Sequence, residues 1–372
     1  MFGAKNMSLH RDCTSFEQGP IRPPSEARSL LIRVTRNCPW NRCAFCHTYQ
    51  GERFSLRPVA EIKEEIRRIG GMVERIRALS GENNEHFRSV AAWVLSGGES
   101  VFLQDANSLI VKTDDLAEII AFIRTNLPSV RRITTYARAK TAARKSREEL
   151  KRLQEAGLSR IHIGMETGYD PLLKFIRKGV SAAEQVEGGQ KIREAGISLC
   201  EYVMPGLGGS QWSAEHALET ARVLNQINPD HIRLRTLQVV PGSPLGEKVR
   251  EGKFQPLDDE AILREIRLFF ETLRGITSEV VSDHILNLLE ELEGTLPGDK
   301  ERIIGVIDHF FSLSMEERMI FRLGRRMGIY RRLDDLADSH TYRRLEEILQ
   351  GYRGRDPRHL EGDLAKLRSR YI

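Results

Sequence analysis

The chain has 372 residues, of which 40% are hydrophobic and 29% are charged, and its formal net charge is +5 at pH 7. This composition is typical of an ordinary soluble protein with a large core, and the mild charge permits an anionic substrate without indicating nucleic-acid binding. No run of about 18 apolar residues is present, and residues 1–11 lack the apolar core of a signal peptide, so neither a membrane span nor secretion is predicted and the cytoplasm is favoured.

Proline and glycine mark the beginning of the chain as irregular. Gly19-Pro20 and Pro23-Pro24 exclude a regular helix, so residues 1–28 are predicted to form an extended arm. The apolar, β-prone residues 30–34 then predict a first strand. Apolar residues that recur every three to four positions predict a helix at 58–79.

Predicted strands and helices alternate from residue 91 onward. The further strands are predicted at 91–95, 132–136, 160–165, 197–203 and within 231–240. The further helices are predicted at 115–126, from Ser146 to Gly157, from Ser181 to Gly196, and at 213–227. Six strands, with a helix after each of the first five, predict an α/β fold with a parallel sheet and right-handed crossovers.

The pattern becomes helical after residue 250. Helices are predicted around 262–273, 283–293, 300–313, 315–327 and 341–350, and the charged tail at 353–372 is assigned no regular structure. The predicted organisation is therefore an N-terminal arm at 1–28, a core at 29–250 and a helical C-terminal region at 251–372.

Three of the five cysteines, Cys38, Cys43 and Cys46, lie directly after the first predicted strand with the spacing C-x4-C-x2-C. Three thiolates on one loop can hold three irons of a cubane cluster and leave the fourth iron open to a substrate or cofactor. The alternative is a structural zinc site with His47 as its fourth ligand. Closed zinc sites normally combine two C-x2-C motifs or add two histidines, and no second C-x2-C motif is present.

The two remaining cysteines are isolated in the sequence. Cys200 falls in a predicted strand and is expected to be a small buried side chain, and Cys13 has no cysteine close to it. An odd number of cysteines, three of them clustered, argues against a disulfide framework and for a reducing compartment.

The cysteine loop and a second motif resemble those of a known family. Phe45 stands before the last cysteine of the loop, and Gly97-Gly98-Glu99 follows the second predicted strand. This order resembles the radical S-adenosylmethionine (radical SAM) superfamily over residues 29–245, closest to the branch with oxygen-independent coproporphyrinogen oxidases, methylthiotransferases and elongator-type enzymes. The resemblance implies a partial (β/α)6 TIM-type barrel. The first cysteine gap is one residue longer than is usual in that family, and residues 39–42 must accommodate the extra position.

The resemblance also implies roles for residues at the predicted strand ends. Gly97-Gly98-Glu99 would bind the methionine amino group of S-adenosylmethionine (SAM), and Glu166 would bind its ribose hydroxyls. Arg138 could pair with the methionine carboxylate as a bidentate fork, or it could be an ordinary solvated arginine. The backbone at Gly206 and Gly208 could contact the adenine, because glycine allows close approach.

Other polar residues are weaker candidates. His162 lies within a predicted strand and is expected to be a core residue. Ser282-Asp283-His284 is expected to cap the helix predicted at 283–293, although it could also line the mouth of the site. Arg233 and Arg235 alternate with apolar residues on the last predicted strand, and they could bind an anionic substrate.

Together these features predict an enzyme with one [4Fe-4S] cluster and SAM as its cofactors. The resemblance implies that SAM is split reductively to a 5′-deoxyadenosyl radical, which takes a hydrogen atom from a substrate that the sequence does not identify. An electron donor such as flavodoxin or ferredoxin is the expected partner. The alternatives are a non-catalytic, chaperone-like protein that binds cluster or haem on the same fold, and a zinc-stabilised structural protein.

Overall fold

A computed structural model describes residues 15–79, 84–352 and 357–369. The first half of the chain contains β1 (Leu30–Arg33), β2 (Thr35–Arg36), β3 (Ser55–Leu56), α1 (Val59–Arg77), α2 (Glu85–Leu95), β4 (Ser100–Gln104), α3 (Thr113–Asn126), β5 (Arg132–Ala137), α4 (Ala139–Arg144), α5 (Arg147–Ala156), β6 (Leu158–Glu166), α6 (Asp170–Phe175) and α7 (Ala182–Glu194). The second half contains β7 (Ser198–Val203), α8 (Gly209–Ile227), β8 (His231–Leu234), α9 (Pro244–Arg250), α10 (Asp259–Thr272), β9 (Glu279–Val281), β10 (Gly294–Thr295), α11 (Lys300–Ser312), α12 (Met315–Arg326), α13 (Ser339–Gln350) and α14 (Pro357–Ser369).

The chain divides into two compact units. The first comprises the described parts of 1–39, 52–136 and 148–160, and the second comprises 40–51, 137–147 and the described residues from 161 onward. The division into arm, core and helical region made from the sequence stays a prediction.

The first unit contains parallel strands in the order β1-β4-β5, followed by the first residues of β6. Leu30 is in register with Val101, and Ser100 with Arg132, so these strands run in the same direction. The apolar face of α1 is buried, as its spacing of three to four residues predicts, and α1 packs against α3.

The second unit continues from the end of β6 in the order β7-β8-β9-β10. Strands β7, β8 and β9 are parallel, and β10 is antiparallel to β9. Helix α8 follows β7 and packs against α10. The predicted α/β fold with a mostly parallel sheet and flanking helices is therefore confirmed, and the strands that alternate with helices are β1, β4, β5, β6, β7 and β8.

The strand predicted at 91–95 is wrong, because these residues are the last turns of α2. The Asn84 side chain caps this helix by accepting the Phe87 backbone N–H at 2.8 Å, and Phe87, Val90 and Trp93 bury one helical face. A short apolar run does not by itself distinguish a strand from a buried helix end. The second parallel strand is β4, which begins after the glycines.

The helix predicted at 283–293 is also wrong. The buried leucines at 286, 288, 289 and 292 mimic helical spacing, but the segment consists of turns between β9 and β10. The buried Asn287 fixes it, because its side-chain amide accepts the Thr236 N–H at 3.0 Å and donates to the Leu234 carbonyl at 2.9 Å. Ser282 therefore caps no helix, and its hydroxyl donates to the Leu289 carbonyl at 2.8 Å.

The last part of the chain is more helical than predicted. Helices α11, α12 and α13 match their predictions, and part of the tail that was assigned no structure forms α14. Arg368 of α14 lies 3.4 Å from Asp259 of α10, which holds α14 within the second unit. None of the described helices combines the length and apolar character that crossing a membrane requires.

Candidate functional site

The cysteine loop of the second unit is anchored by its backbone. The Ala44 N–H donates to the Ile176 carbonyl at 2.8 Å, and the Ala44 carbonyl accepts the Leu245 N–H at 2.9 Å. The Cys46 N–H donates to the Cys43 carbonyl at 3.2 Å, which closes the two-residue gap into a turn. Ala44 is fully buried, whereas Cys43 and Cys46 are partly exposed and form no disulfide.

Lys178 interacts electrostatically with both Cys43 and Glu166, the last residue of β6. Its ammonium group donates to Glu166 Oε1 at 2.9 Å and lies 5.4 Å from the centre of the Phe45 ring. Burial raises the pKa of the Cys43 thiol to about 11, while the positive charges of Lys178 and Arg138 act in the opposite direction. A metal bound here would have to displace that proton.

Glu166 is the last residue of β6 and has the uncommon φ of 65°. Its carboxylate folds back over Gly164, and a Cβ atom at 164 would have to displace Oε1. The structure thus brings Glu166, Lys178 and Cys43 together within the second unit. Lys178 was not identified from the sequence, since a lysine in a basic helix-end segment carries no distinguishing signal.

Arg138 follows β5 and packs on Trp40. Its guanidinium lies 4.9 Å from the centre of the indole ring, and Nη2 donates to the Lys178 carbonyl at 2.7 Å. The Trp40 indole N–H donates to the Arg177 carbonyl at 2.7 Å. At Gly179 a Cβ atom would overlap the indole ring. Trp40, one of the residues in the lengthened cysteine gap, is therefore seated between Arg138 and the 177–179 turn.

The glycine-rich loop after β7 is closely packed. Gly206 has a φ of 85°, and its N–H donates to Glu265 Oε1 at 2.6 Å. At Gly208 a Cβ atom would lie 2.7 Å from the Trp212 carbonyl oxygen. Glycine is thus favoured at 206 by the positive φ and at 208 by the close backbone of Trp212, in addition to any ligand that the loop binds.

Cys38 belongs to the first unit and follows the end of β1. The preceding Asn37 has a φ of 66°, and its N–H donates to Asp105 Oδ2 at 3.0 Å. Asp105, directly after β4, is fully buried and forms an ion pair with Arg33 at 2.5 Å. The carboxyl ends of β1 and β4 are therefore joined just before Cys38. The sequence prediction missed Asp105, although an acidic residue directly after the β-prone run 100–104 was the available signal.

Gly97, Gly98 and Glu99 were predicted to bind SAM because they were expected to follow a strand, and the structure does not place them there. These residues end α2 and precede β4, so they lie at the amino end of that strand and not at its carboxyl end. The Glu99 side chain is 63% exposed, and its carboxylate lies 3.6 Å from Arg131 Nε. Gly97 and Gly98 have positive φ values, and their N–H groups bond to the last carbonyls of α2, as in a glycine helix cap. The motif is explained as a helix-to-strand turn.

The remaining residues that the sequence singled out lie outside the cluster of Cys43, Glu166 and Lys178 or outside the described residues. His162 is buried in β6, and Cys200 is buried in β7, as expected. Nη1 of Arg233 in β8 donates to both carboxylate oxygens of Asp283, at 2.7 and 2.9 Å. Cys13 lies outside the described residues.

The donor side chains distinguish between a single zinc ion and a cubane cluster. Among residues 15–79, 84–352 and 357–369, no three His, Cys, Asp or Glu side chains converge as they would around a single metal ion. A cubane cluster spreads its cysteine ligands over separate irons. The cysteines at 38, 43 and 46 form no disulfide and are partly exposed, and their thiols are the donor type of that ligand set.

Comparison with known proteins decides the family. The model of the radical SAM superfamily matches residues 32–221, which is just over half of the chain. The chain belongs to the radical SAM superfamily. Members of this superfamily use a [4Fe-4S] cluster and SAM.

Curated relatives share low identity with this radical SAM chain. A tRNA uridine(34) acetyltransferase of Methanocaldococcus infernus is 24% identical over 32% of this chain and 23% of its own length. A tRNA-2-methylthio-N(6)-dimethylallyladenosine synthase of Hahella chejuensis is 24% identical over 62% of this chain and 47% of its own length. A biotin synthase of Clostridium botulinum is 25% identical over 48% of this chain and 53% of its own length. This radical SAM chain therefore spans only about a quarter to a half of these relatives.

Similar solved structures include the Elp3 protein of Methanocaldococcus infernus, with a TM-score of 0.43 and 13% identity over 68% of this chain and 57% of that one. Coproporphyrinogen III oxidase (HemN) of Escherichia coli has a TM-score of 0.45 and 14% identity, and the match covers 65% of this chain and 52% of that one. The family assignment rests on the domain match and not on these structures.

Proposed function

We propose that this chain is a radical SAM enzyme in which Cys38, Cys43 and Cys46 hold one [4Fe-4S] cluster. The match to the superfamily over residues 32–221 is the observation that supports this proposal, and the matched segment contains all three cysteines. When bound and reduced, the cluster would supply the electron that splits SAM to a 5′-deoxyadenosyl radical. An electron donor such as flavodoxin or ferredoxin would be required, and a cytoplasmic location is proposed with it.

The residues of this chain would bind and orient the cofactors. The Ala44 backbone bonds hold the loop of Cys43 and Cys46, and the Asp105–Arg33 pair holds the end of β1 before Cys38. Glu166 would bind the ribose hydroxyls and Arg138 the methionine carboxylate, each with a charge-assisted hydrogen bond. The backbone at Gly206 and Gly208 would contact the adenine.

Anaerobic reconstitution with iron and sulfide tests the proposal. The reconstituted protein should contain about four irons and four sulfides per chain and should convert SAM to 5′-deoxyadenosine when dithionite is added. Binding of cluster and SAM without cleavage would instead indicate the chaperone-like alternative, and a colourless protein with one zinc would indicate the structural one. Either of these two results contradicts the proposal.

Substitution of single cysteines identifies the ligands. Cys38→Ala, Cys43→Ala and Cys46→Ala should each abolish the cluster, because each change removes one of the three protein thiolates that hold it. Cys200→Ser should keep it, since Cys200 is buried in β7. Iron and sulfide are measured per folded chain, and a full cluster in any of the three alanine variants would contradict the assignment.

A further inference from the structure

A buried carboxylate from outside the family match contacts the glycine-rich loop at 204–209. Glu265 lies on α10, beyond the matched residues 32–221, and is only 4% exposed. Its Oε1 accepts the Gly206 backbone N–H at 2.6 Å, and its Oε2 accepts the Ser213 hydroxyl at 2.6 Å. The two oxygens therefore bridge the middle of the loop to the first turns of α8.

Helix α10 also packs directly on this loop. At Gly206 a Cβ atom would lie 3.3 Å from two side-chain atoms of Ile262, one turn before Glu265 on α10. The positive φ of 85° at Gly206 is strained for other residues, and its buried N–H needs an acceptor. Glu265 supplies that acceptor, so the orientation of the Gly206 peptide depends on α10.

His216 of α8 extends the contact to the loop after β6. Its Nε2 lies 3.1 Å from the Met204 carbonyl, and its Nδ1 lies 2.8 Å from the Thr167 hydroxyl. Burial lowers the pKa of His216 to about 4, so the ring is neutral at pH 7. Since a carbonyl only accepts, Nε2 carries the proton and Nδ1 accepts from Thr167. Glu265 Oε1 lies 3.6 Å from His216 Nε2.

The two loops that the proposed function assigns to ribose and adenine are thus held by one buried polar network. Thr167 directly follows Glu166, the proposed ribose ligand, and Gly206 belongs to the proposed adenine loop. Ligand binding through backbone groups requires those groups to be oriented beforehand, because ordering them during binding costs affinity.

We propose that Glu265 is a positioning residue that holds the 204–209 loop in the shape that receives the adenine of SAM. This inference rests on the proposed function. It assigns to the C-terminal helical region a part in the cofactor site, although Glu265 itself does not contact the reacting atoms.

The test compares SAM binding to reconstituted protein by calorimetry. Glu265→Leu removes both acceptors and should weaken SAM binding by roughly tenfold to a hundredfold, since one or two buried hydrogen bonds are lost. Glu265→Gln should bind within about threefold of the wild type, because its amide oxygen still accepts from Gly206 and its NH2 group can donate to Ser213. Ser213→Ala removes only the hydrogen bond between Ser213 and Glu265. It should therefore weaken SAM binding by less than Glu265→Leu.

Phe270→Leu is the matched control. Phe270 is fully buried on the same helix, so this variant reduces the stability of α10 without removing the bonds to the loop. Its SAM affinity should stay within about threefold of the wild type. Hydrogen exchange of residues 204–212 gives a second readout that needs no cofactor, and exchange should accelerate in Glu265→Leu but not in Glu265→Gln or Phe270→Leu.

The outcomes separate the inference from the proposed function. A wild-type protein that does not bind SAM would overturn both. If the wild type binds SAM and Glu265→Leu has the same SAM affinity and the same hydrogen exchange as the wild type, only the positioning role is overturned. Equal losses in Glu265→Leu and Phe270→Leu would also overturn it, because they would show a general effect of destabilising α10.

Discussion

Trp40 shows how a single residue accommodates the longer cysteine gap. Its indole N–H donates to the Arg177 carbonyl, and its ring lies against Gly179 and below Arg138. The Trp40 side chain thereby anchors the beginning of the second-unit part of the loop, while Ala44 anchors its middle. In the lengthened segment between Cys38 and Cys43, the Trp40 side chain is therefore packed against the protein.

Gly179→Ala should disturb this packing. Gly179 has a φ of 70°, and a methyl group there would overlap Trp40. Gly196 has a similar φ of 78° but nothing within 4 Å of a built Cβ atom, so Gly196→Ala measures the backbone strain alone, about 1–2 kcal/mol. Gly179→Ala should lose about 1–3 kcal/mol more through overpacking. Urea unfolding of the two variants measures the difference, and equal losses would mean that Trp40 can move aside freely.

Glu99→Ala should leave SAM affinity within about twofold of the wild type. The side chain is exposed and lies at the amino end of β4, and an exposed ion pair such as Glu99–Arg131 contributes little. Titration of SAM into the reconstituted variant measures this. Glu166→Gln serves as the comparison that should weaken binding, and a tenfold loss in Glu99→Ala would restore the role that the motif implied.

At the scale of single elements, α10 and α8 carry two titratable groups with opposite pKa shifts. Burial raises the pKa of Glu265 to about 7 and lowers the pKa of His216 to about 4. Between about pH 4.5 and 7, unfolded Glu265 is ionised while folded Glu265 keeps its proton, so this group lowers stability as the pH rises. Between about pH 4 and 6.5, His216 has the opposite effect, because only the unfolded chain binds the proton.

The Glu265→Gln variant separates these two effects. Its amide does not titrate, so the stability of the wild type relative to this variant should fall as the pH rises from about 4.5 to about 7 and then level off. The expected fall is on the order of 3 kcal/mol, from 1.36 kcal/mol per pKa unit. Unfolding by urea at a series of pH values measures it. Parallel pH profiles for the two proteins would show that Glu265 titrates normally.

Two elements show why local patterns mislead. The apolar runs at 91–95 and 286–292 are both buried, but the first ends a helix and the second forms turns. In each case a polar residue decides the outcome. Asn84 begins a helix by capping it, and Asn287 fixes a turn by bonding to the backbone of residues 234 and 236.

At the scale of the whole molecule, buried charges hold the C-terminal region. Asp259, the first residue of α10, is surrounded by Arg326 at 2.5 Å, Arg368 at 3.4 Å and Arg322 at 3.6 Å. These arginines hold the pKa of Asp259 far below its usual range. They come from α12 and α14, so a single carboxylate connects three helices.

Asp259→Ala should therefore destabilise the protein by about 3–5 kcal/mol, because it leaves buried arginines without their counter-charge. Asp308→Ala is the control. Asp308 also pairs with an arginine, Arg267 at 2.7 Å, but its side chain is half exposed, and the expected loss is at most about 1 kcal/mol. Chemical unfolding compares the two, and similar small losses would mean that water replaces the buried carboxylate.

The superfamily, the α/β class and five of the six parallel strands could be predicted from the sequence. These features depend on local patterns: cysteine spacing on one loop, apolar periods of two and 3.6 residues, and glycines at helix ends. Cys38, Cys43 and Cys46 were identified for this reason, and they stay predicted ligands.

Only the tertiary structure decided which strand end each motif occupies. Gly97-Gly98-Glu99 was placed at the wrong end of a strand because a helix end and a strand of similar length have similar apolar content. Asp105 and Glu265 were missed because their partners, Arg33 and Gly206, lie far away in sequence. Lys178 was missed because nothing in its local sequence marks its pairing with Glu166, 12 residues earlier. The sequence determined the chemistry that the chain can carry, since reactive residue types and their spacing are local. The packing of distant segments determined which side chains support that chemistry, because burial and hydrogen-bond partners exist only after the chain has folded.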